Sequence, residues 1–118
     1  MRRLILLPLL LLWMHAQAGD IDQPAALAAL QQPGAVLIDV RTAEEFSAGA
    51  LPGAVRIATD ALDERIGQLA PDKQTPIVLY CRTGRRSSTA QDLLQKLGYR
   101  NVVNAGGYEQ LAPLLDHR

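Results

Sequence analysis

The chain has 118 residues, of which 48% are hydrophobic and 20% are charged. This composition excludes an intrinsically disordered chain, and the length suits one small domain rather than two. Twelve basic residues balance twelve acidic ones. A chain without excess positive charge has no general attraction to nucleic acid or to an anionic membrane surface, so neither is expected as a partner.

The amino terminus has the three parts of a secretory signal peptide. Residues 1–3 (MRR) are a positive start, residues 4–14 are an apolar run, and residues 16–18 (AQA) are a small-x-small cleavage site. The alternative, a transmembrane anchor, needs about 20 apolar residues, and this run is much shorter. We expect residues 1–18 to be removed. Residues 19–118 would then be a single exported, soluble domain that does not insert stably into the membrane, in a periplasm or a similar oxidising space.

The rest of the chain alternates helices with strands, which predicts an α/β fold with a small, mainly parallel sheet and helices on both faces. Thr42 and Glu45 have capping-box spacing, and Asp60 is a candidate helix cap. Residues 106–107 (GG) predict a turn, and Pro113 is expected to interrupt the last helix. Helices are predicted at residues 24–30, 42–48, 61–69, 87–97 and 108–115, and strands at residues 36–40, 55–57, 77–80 and 102–104.

Histidine and cysteine are scarce. His15 lies in the signal and His117 is next to last, so a Ser-His-Asp triad or a histidine-rich zinc site is not expected. The single cysteine, Cys81, cannot form an intramolecular disulfide. In an exported protein such a thiol is reactive, pairs with another molecule, or is buried and inert.

The neighbours of Cys81 favour a reactive thiol. Cys81 follows the apolar strand IVLY, and the sequence CRTGRRS leads into an amphipathic helix. Parallel sheets bind ligands beyond the carboxyl ends of their strands, and helix amino termini offer unpaired N–H groups. Gly84 permits a tight turn, while Arg82, Arg85 and Arg86 add positive charge. This predicts an anion-binding loop in which a thiolate needs no histidine base. The alternative is a small core residue beside a solvated basic face.

The segment CRTGRRS resembles the active-site loop of the rhodanese (sulfurtransferase) family. Residues 37–41 (LIDVR) with Glu45 and Phe46, followed by residues 49–54 (GALPGA), resemble the first motif of that family. Residues 97–102 (LGYRNV) and 104–107 (NAGG) resemble its closing motif. The similarity covers about residues 36–111. With the export signal, it indicates the single-domain exported type and implies the rhodanese-like three-layer fold.

The resemblance implies a persulfide relay. Cys81 would take the outer sulfur of thiosulfate, or of a similar anionic donor, release sulfite, and pass the sulfur to cyanide or a thiol. Asp39, Arg41 and Glu45 match structural positions near the site, with Arg41 paired to Glu45. No cofactor or metal is implied, and the protein is expected to be a monomer. Substrate binding is assigned to Arg82, Thr83, Gly84, Arg85, Arg86 and Ser87.

Two positions depart from the family pattern. Ala50 stands where the family often has histidine, and Leu111 lies in a region where the family often has an aromatic residue, usually tryptophan. Neither position is the nucleophile. We therefore expect the chemistry to survive, with Leu111 affecting packing or the pocket rim.

Three other functions stay open. Phosphatases and arsenate reductases of the same fold have a Cys-x5-Arg loop, whereas only four residues separate Cys81 from Arg86 here. The shorter loop suits a single sulfur atom better than a phosphate. A non-catalytic binding or sulfur-carrier module is a second alternative, although such domains have often lost the cysteine. A redox role would need a partner thiol, because no second cysteine is present to resolve a disulfide.

Overall fold

The structure is a computed structural model and describes residues 20–115, so the predicted signal peptide and His117 lie outside the described residues. The strands are β1 (Val36–Asp39), β2 (Val55–Arg56), β3 (Ile77–Cys81) and β4 (Val102–Gly107). They form one parallel sheet in the order β2-β1-β3-β4. The α-helices are α1 (Gln23–Leu30), α2 (Ala43–Ala48), α3 (Leu62–Leu69), α4 (Arg85–Lys96) and α5 (Tyr108–Leu115).

Helices cover both faces of the sheet, which confirms the predicted α/β three-layer architecture. Successive side chains of a strand point to opposite faces, so β3 supplies both halves of the core. Leu79 and Cys81 lie in the cluster formed with α3 and α4, whereas Val78 and Tyr80 lie in the cluster formed with α1 and α5. Leu111 belongs to the second cluster and is only 1% exposed, so this departure from the family pattern affects packing.

The strand order places a ligand-binding crevice between β1 and β3. From β1 the chain moves to β2 on one side and then crosses to β3 on the other side. Ligands bind where the strand order reverses in this way, outside the carboxyl ends of the strands. Arg41 follows β1 and Cys81 ends β3, so both residues lie at this end of the sheet. Within residues 20–115, no helix has the length and apolar character needed to cross a membrane.

The capping box before α2 is confirmed. The Thr42 hydroxyl accepts a hydrogen bond from the Glu45 N–H at 3.1 Å, and Glu45 Oε1 accepts one from the Thr42 N–H at 2.9 Å. This reciprocal pair satisfies two N–H groups that the helix itself leaves unpaired. Glu45 is thereby fixed at the start of α2, facing the carboxyl ends of the strands.

Two predicted helix starts are wrong. Asp60 does not cap α3 with its side chain; it lies inside a 3-10 turn, Thr59–Ala61, and α3 begins at Leu62. Helix α4 begins at Arg85, not at residue 87, because Gly84 adopts a left-handed φ of +103° and turns the chain directly into the helix. As a result, Arg86 and Ser87 lie in the first helical turn.

The end of the chain also differs from the prediction. Residues 106–107 are not a turn but the last residues of β4, because a bulge shifts the register and pairs Tyr80 with Gly106. Helix α5 runs through Pro113 without interruption. Its buried residues Leu111 and Leu115 pack against the sheet, and this packing outweighs the hydrogen bond that proline removes.

Candidate active site

Cys81 lies at the base of a short loop that closes around its sulfur atom. The thiol is fully buried, and its Sγ accepts a hydrogen bond from the Gly84 N–H at 2.9 Å. The Ser87 hydroxyl, in the first turn of α4, lies 3.5 Å from Sγ. The predicted loop thus brings backbone and side-chain donors together on one sulfur, as an anionic sulfur requires.

The surroundings of Cys81 favour the thiolate. Burial by itself raises the pKa of the thiol, because it disfavours the charged form. Hydrogen bonds from the Ser87 hydroxyl and from the N–H groups of Ser87, Gly84 and Thr83 outweigh burial, so the pKa of Cys81 lies below its ordinary value. A buried thiol in an apolar core would shift the other way. The geometry therefore favours the reactive alternative over the inert one.

A buried asparagine on the neighbouring strand supports the loop. Asn104, in β4, accepts a hydrogen bond from the Ser87 hydroxyl at 2.7 Å and donates one to the Gly84 carbonyl at 3.1 Å. The sequence places Asn104 in the closing motif but predicts no role for it. Its signal was a polar side chain in a strand that is otherwise apolar or glycine, since buried amides need partners.

The pairing of Arg41 with Glu45 is wrong. Arg41 instead bonds Asp39 through two nitrogens, Nη2 at 2.7 Å and Nε at 3.0 Å, and also donates to the Gly49 carbonyl at 2.7 Å. Asp39 is fully buried and is only two residues away in the chain, so it is the nearest anion that needs this cation. Asp39 and Arg41 form one structural unit beneath the site.

Glu45 pairs with Arg86 of the loop. Two guanidinium nitrogens of Arg86 lie 2.9 Å and 3.2 Å from the carboxylate oxygens of Glu45. This contact and the Thr42 N–H lower the pKa of Glu45 to about 2. The carboxylate therefore stays ionised at every physiological pH and keeps Arg86 directed along the side of the loop.

A cleft of about 260 Å³ lies beside the loop. Arg82, which directly follows Cys81, is exposed on its rim. On its wall the guanidinium of Arg41 stacks over the Tyr108 ring at 4.4 Å. Arg85 is exposed at the start of α4, outside the cleft lining. The full lining is Arg41, Glu45, Ala48, Gly49, Arg82, Tyr108 and Glu109.

Comparison with known proteins identifies the fold and the loop. The family model described as "Rhodanese-like domain" matches residues 22–112. The chain belongs to the rhodanese family. The family resemblance seen in the sequence is confirmed, and the matched residues include the whole Cys81 loop and Asn104.

Several curated relatives of this rhodanese are named as sulfurtransferases. It is 39% identical over 75 residues to thiosulfate sulfurtransferase PspE of Escherichia coli. The aligned residues cover 64% of this chain and 72% of that protein. It is 34% identical over 91 residues to thiosulfate sulfurtransferase GlpE of Tolumonas auensis, covering 76% of this chain and 82% of the relative. The sequence thus resembles single-domain proteins of the PspE type.

Solved structures of other proteins also show similarity to the rhodanese fold. A structure titled "rhodanese with anions from E. coli" matches with a TM-score of 0.64 and 37% identity, covering 66% of this chain and 92% of that one. The human single-domain sulfurtransferase TSTD1 matches with a TM-score of 0.63 and 28% identity, covering 80% of this chain and 96% of that one. The rhodanese fold of the chain therefore rests on both sequence and structure.

Proposed function

We propose that this rhodanese is a thiosulfate sulfurtransferase that carries the transferred sulfur as a persulfide on Cys81. The observation that carries the proposal is the set of hydrogen-bond donors around one buried sulfur, with the Gly84 N–H at 2.9 Å. Such donors stabilise a thiolate before the reaction and an anionic persulfide after it. Among the described residues there is no histidine, so these donors take the place of a general base.

Two displacements complete the reaction. The Cys81 thiolate attacks the outer sulfur of thiosulfate; the S–S bond of thiosulfate breaks, and sulfite leaves with the electron pair. Cyanide or a thiolate then attacks the outer sulfur of the persulfide, the new S–S bond breaks, and Cys81 leaves as a thiolate. The outer sulfur stands about 2 Å beyond Sγ, so it reaches further toward the loop opening than the buried thiol does.

In this proposal the loop attracts the anion through its arginine side chains and holds it through its backbone N–H groups. Arg86, directed by Glu45, and the exposed Arg82 and Arg85 supply positive charge around the loop. This charge raises the local concentration of a doubly charged anion such as thiosulfate and screens the charge of departing sulfite. The N–H groups of residues 82–87 hold the anion and the persulfide, with Thr83, Gly84 and Ser87 nearest to Sγ.

Export is the second part of the proposal. Residues 1–18 have the layout of a signal peptide, and the cleaved product is the single domain of residues 19–118. The relative PspE supports this assignment only by similarity over the folded domain. The expected monomeric state and the periplasmic location stay predictions.

Intact-mass spectrometry tests both parts. The exported protein is purified without reductant and weighed before and after addition of thiosulfate. We expect the starting mass of a chain cut after Ala18, a gain of one sulfur atom with thiosulfate, and loss of that atom with cyanide. A chain that gains no sulfur, although its thiol still reacts with an alkylating reagent, would contradict the persulfide proposal and favour the binding-module alternative.

A phosphatase is the remaining enzymatic alternative, and the loop disfavours it. Only four residues separate Cys81 from Arg86, and the Arg86 side chain pairs with Glu45 beside the loop. A phosphate ester offered to the same preparation is expected to remain intact. Its hydrolysis by the pure protein would overturn the sulfurtransferase proposal.

Arg86→Ala is expected to raise the KM for thiosulfate about three- to tenfold with a smaller change in kcat, because one partly exposed charge near the anion is lost. The variant also leaves the Glu45 carboxylate unpaired beside the site, which repels the anion. Steady-state kinetics with thiosulfate and cyanide measure both constants. Thermal stability should fall only slightly, since partly exposed ion pairs contribute up to about 1 kcal/mol.

Arg100→Ala is the matched control for this prediction. Arg100 is an exposed arginine that lies before β4, at the opposite end of the sheet. Its removal changes the net charge by the same amount without touching the loop, so the KM for thiosulfate should stay as in the wild type. An equal KM in the Arg86 and Arg100 variants would remove Arg86 from the binding set.

A further inference from the structure

One side chain outside the active-site loop contacts two of the residues that donate to the Cys81 sulfur. Asn104 donates through Nδ2 to the carbonyl of Gly84, whose N–H bonds Sγ. Through Oδ1 it accepts from the hydroxyl of Ser87, which lies 3.5 Å from Sγ. Asn104 is itself fully buried. Gly84 and Ser87, two of the donor residues of the loop, therefore share one hydrogen-bond partner.

The backbone of Asn104 is fixed from both sides of β4. It pairs with Leu79 in β3, and its carbonyl accepts a hydrogen bond from the Asp22 N–H at 2.9 Å on the other edge. The bulge directly after it lets Oδ1 also accept from the Gly106 N–H at 3.0 Å. A side chain anchored in this way has a single orientation, so it holds its partners, Ser87 and Gly84, in one arrangement.

We propose that Asn104 is a positioning residue for sulfur transfer, which sets the Gly84 N–H and the Ser87 hydroxyl at the Cys81 sulfur. The proposal rests on the proposed function of Cys81 and names a determinant of its reactivity. Gly84 directly precedes α4 in a left-handed conformation and has no side chain with which to cap the helix, so its position depends on neighbouring groups. The hydrogen bond from Asn104 to the Gly84 carbonyl fixes the peptide plane that follows Gly84, while the Gly84 N–H, in the plane before it, bonds the sulfur.

The Ser87 hydroxyl lies between Asn104 and the sulfur. Its oxygen is 2.7 Å from Asn104 Oδ1 and 3.5 Å from Cys81 Sγ, so the contact with Asn104 is the shorter one. Asn104 thereby fixes the distance between the Ser87 hydroxyl and the sulfur to which this hydroxyl can also donate.

Among the described residues, the charged side chains nearest to this uncharged network lie on other parts of the site. Helix α4 contributes Arg86, whose charge interacts with Cys81 and which is itself paired with Glu45 of α2. The end of β1 contributes the mutually bonded Asp39 and Arg41. Strand β4 contributes no charged side chain, since its sequence is VVNAGG. A change at Asn104 thus alters hydrogen bonding at the sulfur without removing any charge.

The test is the pKa of Cys81 in Asn104→Ala and Asn104→Asp, read from the ultraviolet absorbance of the thiolate against pH. Cys81 is the only cysteine, so the signal is unambiguous. Alanine removes both contacts. Aspartate keeps the acceptor for Ser87, but it loses the donor to Gly84 and adds a negative charge. Both variants should raise the pKa of Cys81 by about one unit. At a pH below this pKa, the fraction of thiolate is then about tenfold smaller. We expect kcat with cyanide to fall about tenfold or more.

Gln91→Ala is the matched control, because Gln91 is also a buried amide that bonds β4, donating to the Val102 carbonyl at 2.9 Å. Its loss should lower stability and leave the pKa of Cys81 unchanged. An unchanged pKa in Asn104→Ala, or an equal shift in Gln91→Ala, would overturn the proposal. If Asn104→Ala does not fold, Asn104→Leu decides, because leucine has a similar volume, removes both contacts and adds no charge. The added carboxylate of Asn104→Asp raises the pKa of Cys81 by repulsion alone, so that variant only supports the result. The pKa is read on the resting protein, so this outcome is independent of whether sulfur is transferred.

Discussion

Cys81→Ala is expected to abolish sulfur transfer while the domain stays folded. The substitution removes the atom that forms and breaks both S–S bonds, so turnover with thiosulfate and cyanide should fall to the level without enzyme. Structurally it removes a single sulfur atom at the end of β3. A loss of this size in a core costs about 1 kcal/mol, which lowers the Tm of a small domain by about 4–8 °C.

Three measurements on the same preparation separate the role of the thiol in chemistry from its role in packing. Turnover and sulfur uptake by intact mass report the chemistry, and circular dichroism on heating reports the fold. Cys81→Ser is the matched control, because it keeps the size and the hydrogen bond from Gly84 but is a far weaker nucleophile. An unfolded Cys81→Ala with a folded Cys81→Ser would show that packing dominates. Residual sulfur uptake by either variant would contradict Cys81 as the carrier.

Features of the site that depend on local sequence could be predicted. A strand end, a glycine and a helix start are consecutive in residues 77–87, so their order alone places Cys81 in a loop at the carboxyl end of the sheet. The capping box of Thr42 and Glu45 is likewise a contact across three residues. Such features are decided by backbone geometry over a few positions, which the sequence shows directly.

Features that depend on which partners meet in space were missed or wrong. Glu45 has two cations within reach, Arg41 and Arg86, and the sequence favours the nearer one. In the structure Arg41 pairs with Asp39. An unpaired carboxylate costs more free energy when it is fully buried, as Asp39 is, than when it is partly exposed, as Glu45 is. The role of Asn104 could not be predicted either, because it also depends on contacts in space. Its partners are distant in the chain, and only the parallel pairing of β3 with β4 brings them together.

Arg41→Met is expected to cost about 3–5 kcal/mol of folding free energy, the largest stability effect of the substitutions considered. Arg41 is 5% exposed, and its guanidinium contacts Asp39, the Gly49 carbonyl and the Tyr108 ring. Methionine fills much of the same volume but leaves the fully buried Asp39 carboxylate without its cation. For a small domain of ordinary stability, this loss is a large part of the total. Urea denaturation followed by circular dichroism measures it.

The double variant Asp39→Asn with Arg41→Met tests the physical reason. Asparagine keeps the size of Asp39. Its side-chain oxygen can still accept a hydrogen bond from the backbone N–H of residue 41, which bonds Asp39 Oδ1 at 2.8 Å in the wild type. Both charges are then absent, so most of the lost stability should return. Lys96→Met is the surface control: Lys96 pairs with Asp92 at 3.2 Å with both side chains at least half exposed, and its loss should cost about 0.5 kcal/mol or less. A double variant as unstable as Arg41→Met would show that the Gly49 and Tyr108 contacts, rather than the buried charge, make Arg41 necessary.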